Sequence, residues 1–231
     1  MAISRTLAAA VIGAASLAVA APAAVAQERH ELVFSGVFAD NDAQTGFLSY
    51  RTVLTGSLDD GLFARVDLMT TRFSYVGGSG NRNAARLALM RSMPIGMGKA
   101  EIGAGVSFAR ERNTPPAPGD FSRAGVFVSG MLDLKPAAGH TFNLLAEYDS
   151  PDKQVFVRGY YEARFGDTGI GPVAHWVRND GYRRVQYGLR VAHQISPNAE
   201  ISLFATTGRE RVGGGAKTKV SMLELGLRAR F

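Results

Sequence analysis

The sequence contains no cysteine, which excludes a disulfide framework, a lipid-modified cysteine and a thiolate metal site. Histidine is almost as scarce. Only His30, His140, His175 and His193 are present, and they form no cluster of zinc-site spacing, so neither a metal nor another cofactor is expected. No apolar periodicity of 3.6 residues runs long enough for a helix. Beyond the N-terminus, no apolar run approaches the ~20 residues of a spanning helix. No composition shift marks a linker, and the length fits one domain. No Gly-rich phosphate cradle precedes a helix, so Gly77-Gly78-Ser79-Gly80 and Gly213-Gly214-Gly215 read as flexible loops.

The N-terminus stands apart from the rest. Arg5 gives a positive start, Leu7 to Ala20 an uncharged apolar stretch, and Ala24-Val25-Ala26 a small-residue cleavage site. Residues 1–26 are therefore expected to be a secretory signal peptide, with 27–231 as the exported chain. Without Arg5, 25 basic residues remain against 20 acidic ones. These charges are dispersed along the chain, and an exported protein seldom meets nucleic acid, so no nucleic-acid partner is expected.

What recurs is a period of two, interrupted by Gly, Pro, Asn and Asp. It predicts strands over 31–40, 45–56, 62–75, 82–93, 99–111, 121–134, 139–149, 153–165, 168–177, 182–195, 199–211 and 217–231. Short turns such as Gly166-Asp167 and Pro197-Asn198 alternate with longer connections such as 76–81 and 112–120. An even strand count with this asymmetry predicts a closed antiparallel transmembrane β-barrel of the bacterial outer membrane, both termini on the periplasmic side.

The last strand states the case compactly. Leu223, Leu225, Leu227, Ala229 and Phe231 share one face, with Glu224, Gly226, Arg228 and Arg230 on the other. The spaced pattern Glu224, Gly226, Ala229 and Phe231 resembles the C-terminal signal of outer-membrane barrels, which implies outer-membrane lipid and the barrel-assembly machinery as partners. A soluble β-sandwich would place the same apolar rows in a core and the arginine-rich rows outside.

If the apolar rows face lipid, the opposite rows line the lumen. This register puts Arg51, Arg65, Arg86, Arg123, Arg158, Arg164, Arg184, Arg190, Arg228 and Arg230 inside, against Asp67, Glu101, Asp133, Glu147, Glu162, Glu200 and Glu224. Either the two signs pair in a structural ladder, or surplus arginines make an electropositive channel wall. Phe63, Phe127, Phe156, Tyr160 and Tyr182 face the same way and could stack on sugar rings. His175 is the one inward histidine, with Ser129 or Ser107 as conceivable partners of an ester hydrolase. No catalytic set is assigned.

Three segments resemble the BcsS-type cellulose-biosynthesis proteins of proteobacteria: GSLDDGLFARVDLMTTRFSY, RNTPPAPGDFSRAG and ARFGDTGIGPVAHWVRNDGYRRVQYGLRV. The matching positions are Gly56, Asp60, Gly61, Arg65, Gly171, Pro172, Asn179, Asp180, Gly181, Tyr182 and Gly188. Each also has a structural explanation. Asp60-Gly61 and Asp180-Gly181 suit hairpin turns of positive φ, and Pro172 suits a bulge. The resemblance implies an outer-membrane barrel with an accessory role in making or exporting cellulose or a related exopolysaccharide, alongside polysaccharide-secretion components. It brings no catalytic residues. The residues alone leave open an arginine-lined, porin-like channel for acidic oligosaccharides or other anions, and a lipid or ester hydrolase.

Overall fold

A computed structural model describes residues 28–75, 77–115, 120–213 and 215–231. The expected signal peptide lies outside the described residues, as do four residues of the Pro-rich loop. The chain forms twelve strands: β1 (His30–Ala39), β2 (Gln44–Gly56), β3 (Gly61–Tyr75), β4 (Gly78–Ile95), β5 (Gly98–Thr114), β6 (Phe121–Ala137), β7 (His140–Asp149), β8 (Gln154–Phe165), β9 (Thr168–Arg178), β10 (Tyr182–Ser196), β11 (Ala199–Val212) and β12 (Thr218–Arg230). Each pairs antiparallel with the next, and β12 closes on β1 to complete a barrel.

The faces follow from side-chain size and charge. Leu87, Leu89, Ile102, Phe108, Val185, Leu189 and Leu225 are exposed on the outside, whereas Phe63, Phe127 and Gln186 are fully buried within. A belt of exposed aliphatic side chains this large is out of place in water but fits hydrocarbon. In hydrocarbon an unpaired backbone group costs several kcal/mol, so the sheet has to close. At the seam, pairs run from Glu31↔Arg230 to Ala39↔Met222. Phe231 extends them: its N–H donates to His30 O (3.0 Å) and its carbonyl accepts from His30 N (2.8 Å).

The two ends differ. At one, which we call the turn end, most connections are two residues long; the longer connections fall mainly at the other, the loop end. Three register shifts, at Val53/Thr55, Leu134/Ala137 and Gln194/Ser196, all lie near the turn end.

Several expectations are corrected. Gly78–Gly80 is strand rather than flexible loop, because β4 starts at Gly78. A side chain at Gly80 would run into the Phe73 ring, so the glycine makes room for an inward aromatic. Gly215 does lie between strands, as does Gly213, whose φ is +56°. Positive φ occurs at Gly56, not at Asp60-Gly61, and not at Asp180-Gly181. Pro172 makes no bulge. The β8–β9 pairing is interrupted between Tyr160↔Val173 and Ala163↔Ile170, with the register unchanged on either side. A residue without an N–H weakens a ladder without having to shift it. Finally, Ser150–Asp152 forms a 3-10 turn between β7 and β8.

Glycines also set how closely strands approach. A Cβ on Gly188 would sit 1.9 Å from Ala205 O, and one on Gly208 1.9 Å from Val185 O. Gly188→Val should therefore destabilise the barrel by about 3 kcal/mol or more. Gly181→Ala, with no atom within 4 Å, should be near neutral. Urea midpoints of the barrel folded in lipid vesicles would check the pair.

Candidate functional site: the arginine–carboxylate interior

Strand parity turns one residue in two inward, and the inward rows carry almost all the strand carboxylates. Three linked groups of ion pairs result. Near the loop end and mid-barrel, Arg65 binds Asp67 (2.8 Å) and Glu147 (2.8 Å). Arg86 reaches Glu147 (3.4 Å) and Asp149 (2.8 Å), and Ser129 bridges Arg65 and Glu147. Both guanidinium groups lie over the buried Phe127 ring, at 5.4 and 4.6 Å. Because β3 and β7 are four strands apart, the Arg65–Glu147 contact spans the interior instead of running along the wall.

A second group joins β8, β10 and β11. Glu162 and Glu200 are each shared by Arg164 and Arg190. Arg190 also lies over Tyr160 (4.5 Å) and Phe204 (5.5 Å). The third group sits toward the turn end. Glu31 receives Arg51 (3.2 Å), Arg228 (3.2 Å) and Arg230 (2.9 Å), and Arg51 continues to Glu101 (3.1 Å). Lys99 adds a further contact to Glu101 (2.9 Å). At the turn beyond, burial raises the Asp59 carboxyl. The hydrogen bond and charge of Lys99, helped by Arg230 and Lys135, outweigh this and hold it below the ordinary aspartate range.

Thus Arg51, Arg65, Arg86, Arg158, Arg164, Arg190, Arg228 and Arg230 all meet carboxylates, Arg158 through one contact with Glu224 at 3.5 Å. Arg123 and Arg184 make no ion pair among the described residues. Arg123 lies over Phe121 and donates to Pro151 O; Arg184 lies over Tyr182. Asp133 faces inward from β6, opposite Lys99.

The surplus of three arginines is corrected by residues that the sequence register omitted. Glu31, Glu111, Asp149 and Glu210 also face inward, as do Arg82 and Lys99. Parity with Glu147 would have found Asp149, and parity with Arg86 would have found Arg82. Lys99 brings a lysine into the interior. Phe47, Phe73, Phe121 and Phe204 join the inward aromatics for the same reason.

The histidines separate. His175 faces inward, edge-on to Phe156 and Phe204. No hydrogen bond joins it to Ser129 or Ser107 among the described residues. His30 is the first residue of β1, one residue ahead of the strand expected from 31, and it stacks on Tyr50 and Phe231. Among the described residues, no group of three or more His, Asp and Glu side chains is placed to hold a metal ion. Of the terminal signal positions, Glu224 and Gly226 face inward, while Ala229 and Phe231 face outward.

No family model matches the chain, and no curated protein matches it. Among solved structures it is similar to the KdgM porin, at 9% identity and TM-score 0.50, with 87% of this chain and 99% of that one covered. It also matches the translocator domain of the autotransporter NalP from Neisseria meningitidis, at 9% identity and TM-score 0.48, covering 98% and 96%. The β domain of the Bordetella autotransporter BrkA matches at 14% identity and TM-score 0.47, covering 88% and 99%. The porin likeness is one of fold.

Because Glu147 is the shared partner of two enclosed guanidinium groups, Glu147→Ala should cost about 3–5 kcal/mol. Glu224→Ala removes one long contact from a more exposed arginine and should cost less than about 1 kcal/mol. Urea unfolding in lipid vesicles distinguishes the two.

Proposed function

We propose that the chain is a narrow outer-membrane channel for small anionic solutes, with acidic oligosaccharides included. The reading rests on how unevenly the arginines are satisfied. Arg65, Arg86 and Arg190 are nearly enclosed by their partners, with side-chain exposures of 5, 8 and 6%. Arg184, Arg158 and Arg228 descend from loop end to turn end along β10, β8 and β12. Arg184 makes no ion pair among the described residues, although Glu210 lies opposite it on β11, Arg158 has one long contact, and Arg228, paired with Glu31, remains 43% exposed. Positive charge that a solute can reach is therefore concentrated on this side of the lumen, with Arg123 at the mouth.

Paired charges narrow a lumen, whereas unsatisfied ones attract counter-ions into it. Twelve strands lie between the eight that enclose only side chains and the sixteen that leave an aqueous channel. The likeness to a porin supports a conducting barrel by analogy of fold. In this orientation the turn end faces the periplasm and the loop end faces outward. Phe231 and its spaced partners would be read by the assembly machinery.

A second reading is an accessory role in cellulose or exopolysaccharide production, with polysaccharide-secretion components as partners. The resemblance of residues 163–191 supports it, since this segment covers β9, the loop after it and β10 as far as Val191. Deletion should then alter dye-binding polysaccharide at the cell surface while leaving small-solute uptake unchanged.

In a planar bilayer, the channel reading expects a steady anion-selective current. Arg158→Gln combined with Arg184→Gln should remove most of the selectivity while leaving the barrel folded. A folded barrel without current, or a selectivity indifferent to both changes, would overturn it.

A further inference from the structure

On the inward face of β8, β9 and β10, four polar side chains keep unpaired atoms. Arg158, His175 and Gln186 lie in direct register on the three strands, Arg158↔His175 and His175↔Gln186. Arg184 lies two residues from Gln186 on the same face of β10. Gln186 is fully buried and His175 is 5% exposed. Yet among the described residues neither Nε2 nor Oε1 of Gln186 has a hydrogen-bond partner, nor has Nε2 of His175, nor Nε of Arg158 or Arg184. Buried polar groups are rarely left so, because each then carries its full desolvation cost. An amide with donor and acceptor both unused, beside an unpaired imidazole, points to a ligand.

One contact stands in front of this layer. Arg158 on β8 meets Glu224 on β12 at 3.5 Å. Those strands are four apart, so the pair spans the interior across β9, β10 and β11. The Arg158 guanidinium lies over the Phe204 ring at 5.2 Å, and His175 is edge-on to Phe204 and Phe156. Glu224 thus occupies a carboxylate position on Arg158, at a distance too long for a good charge-assisted hydrogen bond. The crossing between Arg65 and Glu147 is 2.8 Å with both side chains nearly enclosed. Arg158 and Glu224 are therefore the pair that parts more readily.

The unused groups specify what takes their place. An inorganic anion only accepts hydrogen bonds, so it would leave Oε1 of Gln186 unpaired. A neutral sugar would pair with Gln186 and His175 but has no charge with which to replace Glu224. A hydroxylated carboxylate does both. Its carboxylate takes Arg158 in bidentate geometry, and its hydroxyls, which donate and accept, meet the amide and the imidazole. The Phe156 and Phe204 rings then border its C–H face.

We propose that Arg158, His175 and Gln186 form a binding site for a sugar acid, which enters by displacing Glu224 from Arg158. The site rests on the channel reading, since a solute has to enter the lumen to reach it. It adds a selectivity set by hydroxyl recognition as well as by charge, with Glu224 as the resident competitor.

The test is isothermal titration of the full chain, folded in zwitterionic micelles, with glucuronate and with cyclohexanecarboxylate, a ring acid without hydroxyls. Glucuronate should bind saturably, with cyclohexanecarboxylate at least about tenfold weaker. Gln186→Leu should remove that preference, lowering glucuronate to the level of the hydroxyl-free acid. Glu224→Gln should tighten glucuronate about threefold or more, because the competing carboxylate is gone. Ser49→Ala removes another buried, unpaired side-chain oxygen, on β2, and should leave both titrations unchanged.

If Gln186→Leu does not fold, Glu224→Gln decides alone, and an unchanged glucuronate affinity would overturn the site. Equal affinities for the two acids would overturn it too, as would a preference that survives Gln186→Leu. Equal affinities together with an anion-selective current in the planar bilayer would remove only this site and leave the channel reading standing. A folded chain with neither current nor binding would overturn both.

Discussion

The structure depends on one constraint: inside hydrocarbon, no backbone N–H or carbonyl can go unpaired. The seam between β1 and β12 meets it, with nine paired positions and the Phe231 backbone bound to His30. Once the ring is closed, every strand has two neighbours, the apolar rows have nowhere to go but outward, and the charged rows must share an enclosed space. Small residues at the tightest approaches, such as Gly188 and Gly208, let the closed sheet coil without steric conflict.

That enclosed space determines the chemistry of the interior. A lone guanidinium or carboxylate there would carry a desolvation penalty of several kcal/mol. The inward charges are therefore combined into shared groups, with Glu31, Glu147, Glu162 and Glu200 each serving at least two arginines. Phe127, Tyr160 and Phe204 supply ring faces beneath the guanidinium planes. Arginine suits this role because its planar fork can hold two carboxylates and a ring at once. The pairing is thinnest at Arg184, which makes no ion pair among the described residues, and at Arg158, whose one contact with Glu224 is long.

The outer wall follows a different rule. Its apolar belt gives way at the loop end to the row of Arg178, Arg183 and Arg211, which lie in direct register on three consecutive strands. The same β9–β10 hairpin contributes Arg184 to one face and Arg178 and Arg183 to the other.

Period-two alternation alone determines that this chain makes strands, which rows are apolar, and hence which side chains face the lumen, because parity along a strand is a local property. It was legible wherever large residues marked the outer row, as on β8, β10 and β12. It was less legible at strand ends, so Glu31, Arg82 and Asp149 went unassigned, and the glycines from Gly78 to Gly80 read as loop. Which arginine meets which carboxylate was decided by the closed barrel. Arg65 and Glu147 lie 82 residues apart, and only strand order and stagger bring them together. The same stagger aligns Arg178, Arg183 and Arg211, three residues with unremarkable spacing in the sequence, into one charged row.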